Sequence, residues 1–143
     1  MSTLNTAVSV AASALSAERT RIEVAVSNLA NAESTRGADG KPFRRRDVVL
    51  QSDTVQSFDS ALGTASATGV KVARIVEDTA AARQRFDPSH PDADKEGFVQ
   101  LPNVNPADEM VDMVGASRAY QANLTAIGLI RDLVSRSLEL GRS

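Results

Sequence analysis

The chain has 143 residues, a formal net charge of −2, and 42% hydrophobic but only 3% aromatic residues. This length fits one domain of ordinary size, and the scarcity of aromatic side chains disfavours a thick globular core. The small negative charge argues against a generally basic surface that would bind nucleic acid or an anionic membrane. Because the chain contains no cysteine, it has neither a disulfide framework nor a thiolate metal site.

The sequence predicts neither a membrane span nor a general secretory signal. No window reaches the roughly 18 apolar residues that a membrane span requires, so no membrane insertion is expected. Residues 1–14 lack the basic residues that open a secretory signal. We therefore expect the protein to stay in the cytoplasm or to be exported by another route.

The first predicted element is a long helix that begins near Ser2, a plausible cap. Apolar or small residues recur in steps of four and three, which places them on one helix face. No glycine or proline occurs before Gly37, so one helix of about 30 residues is predicted within a first region, residues 1–35. The positions of this repeat are Leu4, Val8, Ala11, Leu15, Ile22, Ala25, Leu29 and Ala32.

The middle region, residues 36–104, is predicted to contain short β-strands, because β-branched and aromatic residues cluster in it. Its last two strand-like segments are expected to pair across a long turn. Residues 51–69 are rich in Ser, Thr and Ala without periodicity, which predicts a mobile loop. The strand-like segments are 43–50, 70–76, 83–86 and 98–101.

The last region, residues 105–143, opens with a strong helix start signal. Asn105 can cap the helix, Pro106 suits its first position, and two acids follow near the positive end of the helix dipole. A helix of about 35 residues is expected to stop at Gly141. Its apolar repeat, which Arg131 interrupts, consists of Met110, Met113, Ser117, Tyr120, Leu124, Ile127, Val134 and Leu138.

Neither helix is expected to be stable at that length unless it buries its apolar stripe, and the nearest partner is the other helix. The predicted fold is therefore mainly α, with two long terminal helices packed as an antiparallel coiled coil around a small β-hairpin and loop-rich middle. Such a pair leaves apolar surface open, so further helices from neighbouring copies or partners are expected. The residues that widen the second helix's apolar face are Val111, Val114, Leu129, Ile130 and Leu133.

The segment 90–103 raises the question of a calcium site, because acidic residues stand at alternate positions before Gly97, as ligands do in a calcium loop. The closing position, however, is Asn103 instead of a bidentate glutamate, and prolines exclude helices on both sides. His90 lacks companions for a transition-metal set. A structural turn is favoured, with a calcium-binding module of residues 92–103 as the alternative. The acidic residues are Asp92, Asp94 and Glu96.

Two further features have ordinary explanations. Arg44 to Arg46 fit a solvated or interface strand better than a nucleic-acid site in a chain of negative charge. Asn28 and Asn31 indicate either a fraying helix end or a fixed turn in which the side-chain amides satisfy loose backbone groups, and the residues leave both open. The sequence contains no nucleophile elbow, phosphate-binding glycine loop or zinc pair, so neither an enzyme nor a cofactor is expected.

The run Ser27-Asn28-Leu29-Ala30-Asn31-Ala32, followed by Thr35, resembles the N-terminal signature of bacterial flagellar axial proteins, the rod, hook and related subunits. Within that family, Pro42-Phe43-Arg44-Arg45 and the segments 87–99, 102–105 and 109–123 are similar to those of proximal rod subunits. The resemblance covers about residues 4–142 and is weakest at 51–69.

The resemblance implies a structural subunit of the proximal rod, which assembles helically into the drive shaft that transmits torque and surrounds the export channel. It also implies export through the flagellar type III apparatus without a cleaved signal peptide, and a place in the periplasmic rod of the basal body. The implied partners are other rod proteins, the adaptor between membrane ring and rod, the export apparatus and further copies of the chain.

On this interpretation, both helices supply the subunit interface. Apolar contacts between subunits are predicted at Leu15, Ile22, Leu29, Met110, Met113, Leu124 and Ile127. Polar contacts that fix the register between subunits are predicted at Asn28, Asn31, Arg118, Tyr120, Gln121 and Asn123.

Overall fold

The computed structural model describes residues 2–37, 40–54 and 68–141. Neither helix in this part of the chain is long and apolar enough to cross a membrane. Two helices with small antiparallel strand pairs between them confirm the mainly α fold that the sequence predicts. In chain order the elements are α1 (Ser2–Ala30), β1 (Arg46–Thr54), β2 (Thr68–Glu77), β3 (Arg83–Phe86), β4 (Phe98–Leu101) and α2 (Pro106–Leu140).

The helix limits follow the sequence signals. Helix α1 has 29 residues and α2 has 35. The side-chain oxygen of Asn105 accepts a hydrogen bond from the backbone N–H of Ala107 at 3.1 Å, and Pro106 is the first helical residue. Gly141 directly follows the last residue of α2. Both predicted helices and the predicted cap are therefore confirmed.

The two helices run antiparallel. At one end Asn28 of α1 donates a hydrogen bond to Glu109 of α2, and at the other end Val8 and Val134 line the same groove. Small side chains permit close approach of the two backbones but bury little apolar area each. In the described part of the helices the buried residues are Ala11, Ala17, Ala25, Asn28, Glu109 and Ala116.

The predicted apolar repeat of α2 is wrong at three of its eight positions, Met110, Leu124 and Leu138, which are exposed. Met110 and Leu124 were placed in the repeat but are 51% and 48% exposed. The residues directly before them in the chain are less exposed: Glu109 is buried and Asn123 is half-buried. The prediction failed here because a carboxylate is not expected in a buried stripe unless its partners are known. The less exposed stripe consists of Glu109, Met113, Ala116, Tyr120, Asn123, Ile127, Ile130 and Val134.

Strands β1 and β2 form an antiparallel hairpin with a register shift between Val49 and Leu50. The hairpin is fixed to α1 where the backbone N–H of Val70 donates to the hydroxyl of Ser13 at 3.1 Å. Both strands were predicted with different limits, since β1 begins and ends later than expected. The predicted loop 51–69 is wrong at its two ends, which are strand, and its residues 55–67 lie outside the described part.

Strands β3 and β4 pair antiparallel, as predicted, from Arg83 opposite Leu101 to Phe86 opposite Phe98. The rings of the two phenylalanines meet edge to face with their centroids 5.3 Å apart. In the described part of the chain, the buried aliphatic side chains larger than alanine are Val99 and Leu101 of β4 and Val104 just after it.

Gly97 closes the turn between β3 and β4, and a substitution there tests how rigid this turn is. Its φ is +86°, and a Cβ atom there would lie 2.9 Å from a ring carbon of Phe86. We expect Gly97→Ala to lower the free energy of unfolding by about 2 kcal/mol, through backbone strain and this contact. The measurement is urea unfolding of the purified protein, followed by circular dichroism.

Gly40 is the matched control, because its φ is +77° but a Cβ atom there would meet nothing within 4 Å. Gly40→Ala should therefore cost only the backbone strain, about 1 kcal/mol. If the two substitutions cost the same, the tight packing of the turn against Phe86 is wrong.

Candidate functional site: a buried polar junction

A buried polar junction joins the end of α1, the start of β1 and the first turn of α2. We call it the Glu109 junction and define it by Asn28, Arg45, Arg46 and Glu109. Asn28 is 1% exposed and Glu109 is 2% exposed. The side-chain nitrogen of Asn28 donates to the Glu109 carboxylate at 2.9 Å and to the backbone carbonyl of Arg46 at 2.8 Å. Its side-chain oxygen accepts the backbone N–H of Arg46 at 2.9 Å, so the amide pairs with β1 as a strand would.

Arg45 supplies the charge that balances Glu109. Its Nε donates to the carboxylate at 2.6 Å, and its side chain is 22% exposed. Asp47 accepts a second hydrogen bond from the same guanidinium, and Asp112 lies 3.8 Å away. Partial burial lowers the pKa of Arg45, but the hydrogen bond and charge of Glu109, with the charge of Asp47, raise this pKa above its ordinary value. In the described part of the chain every buried side-chain nitrogen or oxygen has a partner, so the buried charge is compensated.

The end of α1 is a fixed turn. Besides the contacts of Asn28, the side-chain nitrogen of Asn31 donates to the carbonyl of Ser27 at 2.8 Å, and the Ser34 hydroxyl donates to the carbonyl of Asn31. The side chains thus satisfy backbone groups that the helix end leaves free. Of the two alternatives at this helix end, the fixed turn is confirmed.

The arginines at 44–46 are largely used within the chain. Arg45 binds Glu109, and the guanidinium of Arg46 lies 5.5 Å from the ring centroid of Phe43 and 3.5 Å from Glu77. Arg44 is exposed. These contacts fit the structural interpretation of the basic run and not a dedicated nucleic-acid site.

The acidic turn, residues 87–97, is held by hydrogen bonds to its own backbone. Asp94 accepts the N–H groups of Glu96 and Phe98, both at 2.9 Å. The hydroxyl of Ser89 donates to Asp87 and lowers the pKa of that carboxyl below its usual value. These contacts confirm the predicted structural turn.

The acidic turn is also tied to the segment that follows α1. Asp92 accepts a hydrogen bond from Thr35 at 2.7 Å and pairs with Arg36 at 3.0 Å. Asp92 and Asp94 are therefore directed to different partners within the chain. Among residues 2–37, 40–54 and 68–141, no three potential ligand side chains are grouped as a metal site, and the calcium alternative receives no support there.

The predicted subunit-interface residues differ in accessibility. Asn28 is buried and its polar atoms are used within the chain, whereas the side chain of Asn123 donates to the carbonyl of Ala119 at 2.9 Å. None of the contacts described here involves a second subunit, so the interface assignments stay predictions. The exposed members are Met110, Arg118, Gln121 and Leu124. The half-buried members are Leu15, Ile22, Leu29, Asn31, Met113, Tyr120, Asn123 and Ile127.

Sequence reasoning missed Arg45 and Glu109 as a structural pair. One signal was available, because Glu109 lies four residues before Met113 and seven before Ala116, which is the spacing of one helix face. Its partner Arg45 lies 64 positions earlier in the chain, and no local pattern connects the two.

Comparison with known families matches both ends of the chain. Residues 4–38 match the family described as flagella basal body rod protein, and residues 95–140 match the C-terminal family of flagellar basal body rod FlgEFG proteins. The two matched regions contain the helices that meet at the Glu109 junction. The chain is thus of the bacterial flagellar rod class, a class of structural proteins and not of enzymes.

Full-length relatives narrow this class. The chain is 43% identical over 145 residues to flagellar basal-body rod protein FlgC of Bacillus subtilis (strain 168), covering 94% of this chain and 96% of the relative. It is 42% identical over 133 residues to FlgC of Salmonella typhimurium, with 93% and 94% covered. FlgC of Borreliella burgdorferi is 37% identical over 151 residues, with 96% and 97% covered. The chain belongs to the FlgC family of flagellar basal-body rod proteins, which confirms the resemblance seen in the sequence.

Glu109 and Asp112 both lie near Arg45, but the Glu109 junction predicts that their removal lowers the free energy of unfolding by very different amounts. Glu109→Ala leaves Arg45 partly buried without its main partner and removes an acceptor from Asn28. We expect it to lower the free energy of unfolding by about 3 kcal/mol. Urea unfolding followed by circular dichroism measures this change.

Asp112→Ala is the matched control, since Asp112 lies on the same helix but is 55% exposed and 3.8 Å from Arg45. Its loss should cost less than about 1 kcal/mol. Equal costs for the two substitutions would show that the junction does not stabilise the subunit.

Proposed function

We propose that the chain is a structural subunit of the proximal rod, which assembles helically with other rod proteins into the drive shaft around the export channel. The observation that carries this proposal is the near full-length similarity to FlgC proteins, 43% identity over 94% of the chain in one case. The exposed apolar residues of α2 provide independent support, because they favour burial against other chains.

Assembly supplies burial that the subunit lacks by itself. A helix as long as α2 draws most of its stability from packing, and many of its large side chains are exposed in the single chain. We infer that the ends of the helices become fully ordered as neighbours cover them, and that the pair acts as an antiparallel coiled coil in the rod. The exposed large apolar residues of α2 are Met110, Val111, Val114, Leu124, Leu129, Leu133, Leu138 and Leu140.

The proposed division of the chain follows these roles. Residues 1–35 and 105–143 form the helical core of the rod, and residues 36–104 lie further out. Torque passes through side-by-side packing of the helices. The subunits form a helical filament because a head-to-tail contact that does not close into a ring continues from one subunit to the next. The predicted apolar interface residues supply the packing, and the exposed polar ones, Arg118 and Gln121 among them, supply the register between subunits.

The proposed partners are other rod proteins, further copies of the chain, the adaptor between membrane ring and rod, and the flagellar type III export apparatus. We propose that the protein reaches the periplasmic part of the basal body through that apparatus without a cleaved signal peptide. Family membership supports the basal-body rod as its location.

Deletion of the gene tests the proposal in the bacterium that carries it. We expect loss of swimming and basal bodies that lack the rod, because a missing segment of the shaft blocks the addition of later subunits. Swimming in soft agar and electron microscopy of isolated basal bodies measure the two effects. Expression of the unaltered gene from a plasmid should restore both, and retained swimming after deletion would contradict the proposed function.

A further inference from the structure

One exposed face of α2 combines large apolar side chains with very small ones. Val111 is 71% exposed, Leu129 is 60% exposed and Leu133 is 62% exposed. Leu129 follows Val111 after 18 residues, which is five helical turns, and Leu133 follows Leu129 after four, so the three share one side of the helix. We call this side the outer face of α2, and it consists of Val111, Gly115, Arg118, Ala122, Leu129 and Leu133.

Helix α1 has an exposed face of the complementary kind. Its largest apolar member is Val26, which is 46% exposed, and most other members are alanine or serine. Small side chains leave a shallow surface on which large side chains of another helix can pack closely. The outer face of α1 consists of Asn5, Ser9, Ala12, Ser16, Arg19, Glu23, Val26 and Ala30, which follow one another in steps of four and three.

We propose that the outer face of α2 packs antiparallel on the outer face of α1 of a second copy of this chain. This inference rests on the proposed rod function and names the partner of the exposed helix face. In one register a large side chain meets a small one at four levels of the contact, which is how helices interdigitate without voids. The opposed pairs are Val111 with Ala30, Gly115 with Val26, Leu129 with Ala12, and Leu133 with Ser9.

The same register brings opposite charges together. It places Arg118 of α2 opposite Glu23 of the second copy's α1. Glu23 pairs with Arg19 at 2.8 Å, and their side chains are 59% and 74% exposed. Within the described part of the chain, Arg118 makes no ion pair. Arg118 in this register lies opposite the Arg19–Glu23 pair of the second copy and nearest to Glu23, and other registers separate Arg118 from Glu23, which disfavours sliding of the helices.

The contact is head-to-tail, since it joins different faces of the two copies. Each subunit that uses its α2 face still presents its α1 face to the next copy. Such a contact propagates from copy to copy and gives an open helical arrangement unless the rotation closes a ring. The second copy is therefore the occupant that the two faces of this chain fit.

Cysteine cross-linking in basal bodies tests the register, because the chain has no cysteine of its own. The full-length double variant Ala12→Cys, Leu129→Cys replaces the native protein in the bacterium, and isolated basal bodies are oxidised. We expect cross-linked dimers and longer multimers of the chain on a denaturing gel. The control variant Ala12→Cys, Val111→Cys should stay monomeric, since Val111 lies 18 residues along α2 from Leu129, about 27 Å away.

Each alternative outcome has a distinct meaning. If the variant is present in basal bodies but cross-links no more than the control, or cross-links only to a different rod protein, the proposed pairing is wrong and the rod function still stands. If neither the variant nor the unaltered protein is found in basal bodies, the rod function itself is contradicted, and the pairing with it.

Charge reversal gives a second test that does not depend on cross-linking. Glu23→Arg and Arg118→Glu are each expected to lower the number of assembled rods several-fold, because each places like charges in contact. The variant that carries both reversals restores the opposite pair and should recover most of the rods. A double variant that assembles no better than either single variant would contradict the register.

Discussion

The structure depends on the compensation of one buried carboxylate, that of Glu109. A charged group withdrawn from water destabilises the folded state strongly unless partners replace its hydration. Here the partners are the amide of Asn28 at the end of α1 and the guanidinium of Arg45 just before β1. All three parts of the chain must be in place before the carboxylate is satisfied. The junction therefore couples the two helices and the first hairpin. The apolar contacts between these elements are too few to fix their arrangement without it.

This junction lies at one end of a helix pair whose remainder is lightly packed. Toward the far end, Leu129, Leu133 and Leu138 of α2 are more than half exposed. A subunit of this kind is well defined where its polar groups are buried and depends on neighbours elsewhere. That division suits a rod protein, because the subunit keeps a fixed angle between helices and hairpin while its helix faces remain available for assembly.

Much of the fold was predictable from the sequence because its signals are local. The cap at Asn105, the first-turn proline and the apolar rhythm locate α2 to within a residue or two, and the composition of 83–86 and 98–101 locates the second strand pair. The turn at Gly97 was equally visible, since the prolines around it exclude helix.

The parts that were missed depend on contacts between distant residues. Strand β1 begins at Arg46, where the side chain of Asn28 pairs with its backbone, and composition could not show this. The buried stripe of α2 was predicted incorrectly because a buried Glu109 is expected only when its partners Asn28 and Arg45 are known. The subunit-interface residues can be predicted from one chain, but whether they make contacts depends on the surfaces of the neighbouring subunits. In physical terms, local propensity and periodicity locate elements, whereas buried polar groups decide how the elements meet.

Hydrogen–deuterium exchange, compared between the free subunit and isolated rods, tests this division most directly. We predict that the backbone amide of Arg46, whose hydrogen is accepted by the Asn28 side chain, exchanges slowly in both states. The amides of α2 beyond Leu124 should exchange quickly in the free subunit and slowly in the rod. Slow exchange along all of α2 in the free subunit, or an Arg46 amide that exchanges as fast as the end of α2, would contradict this account of the fold.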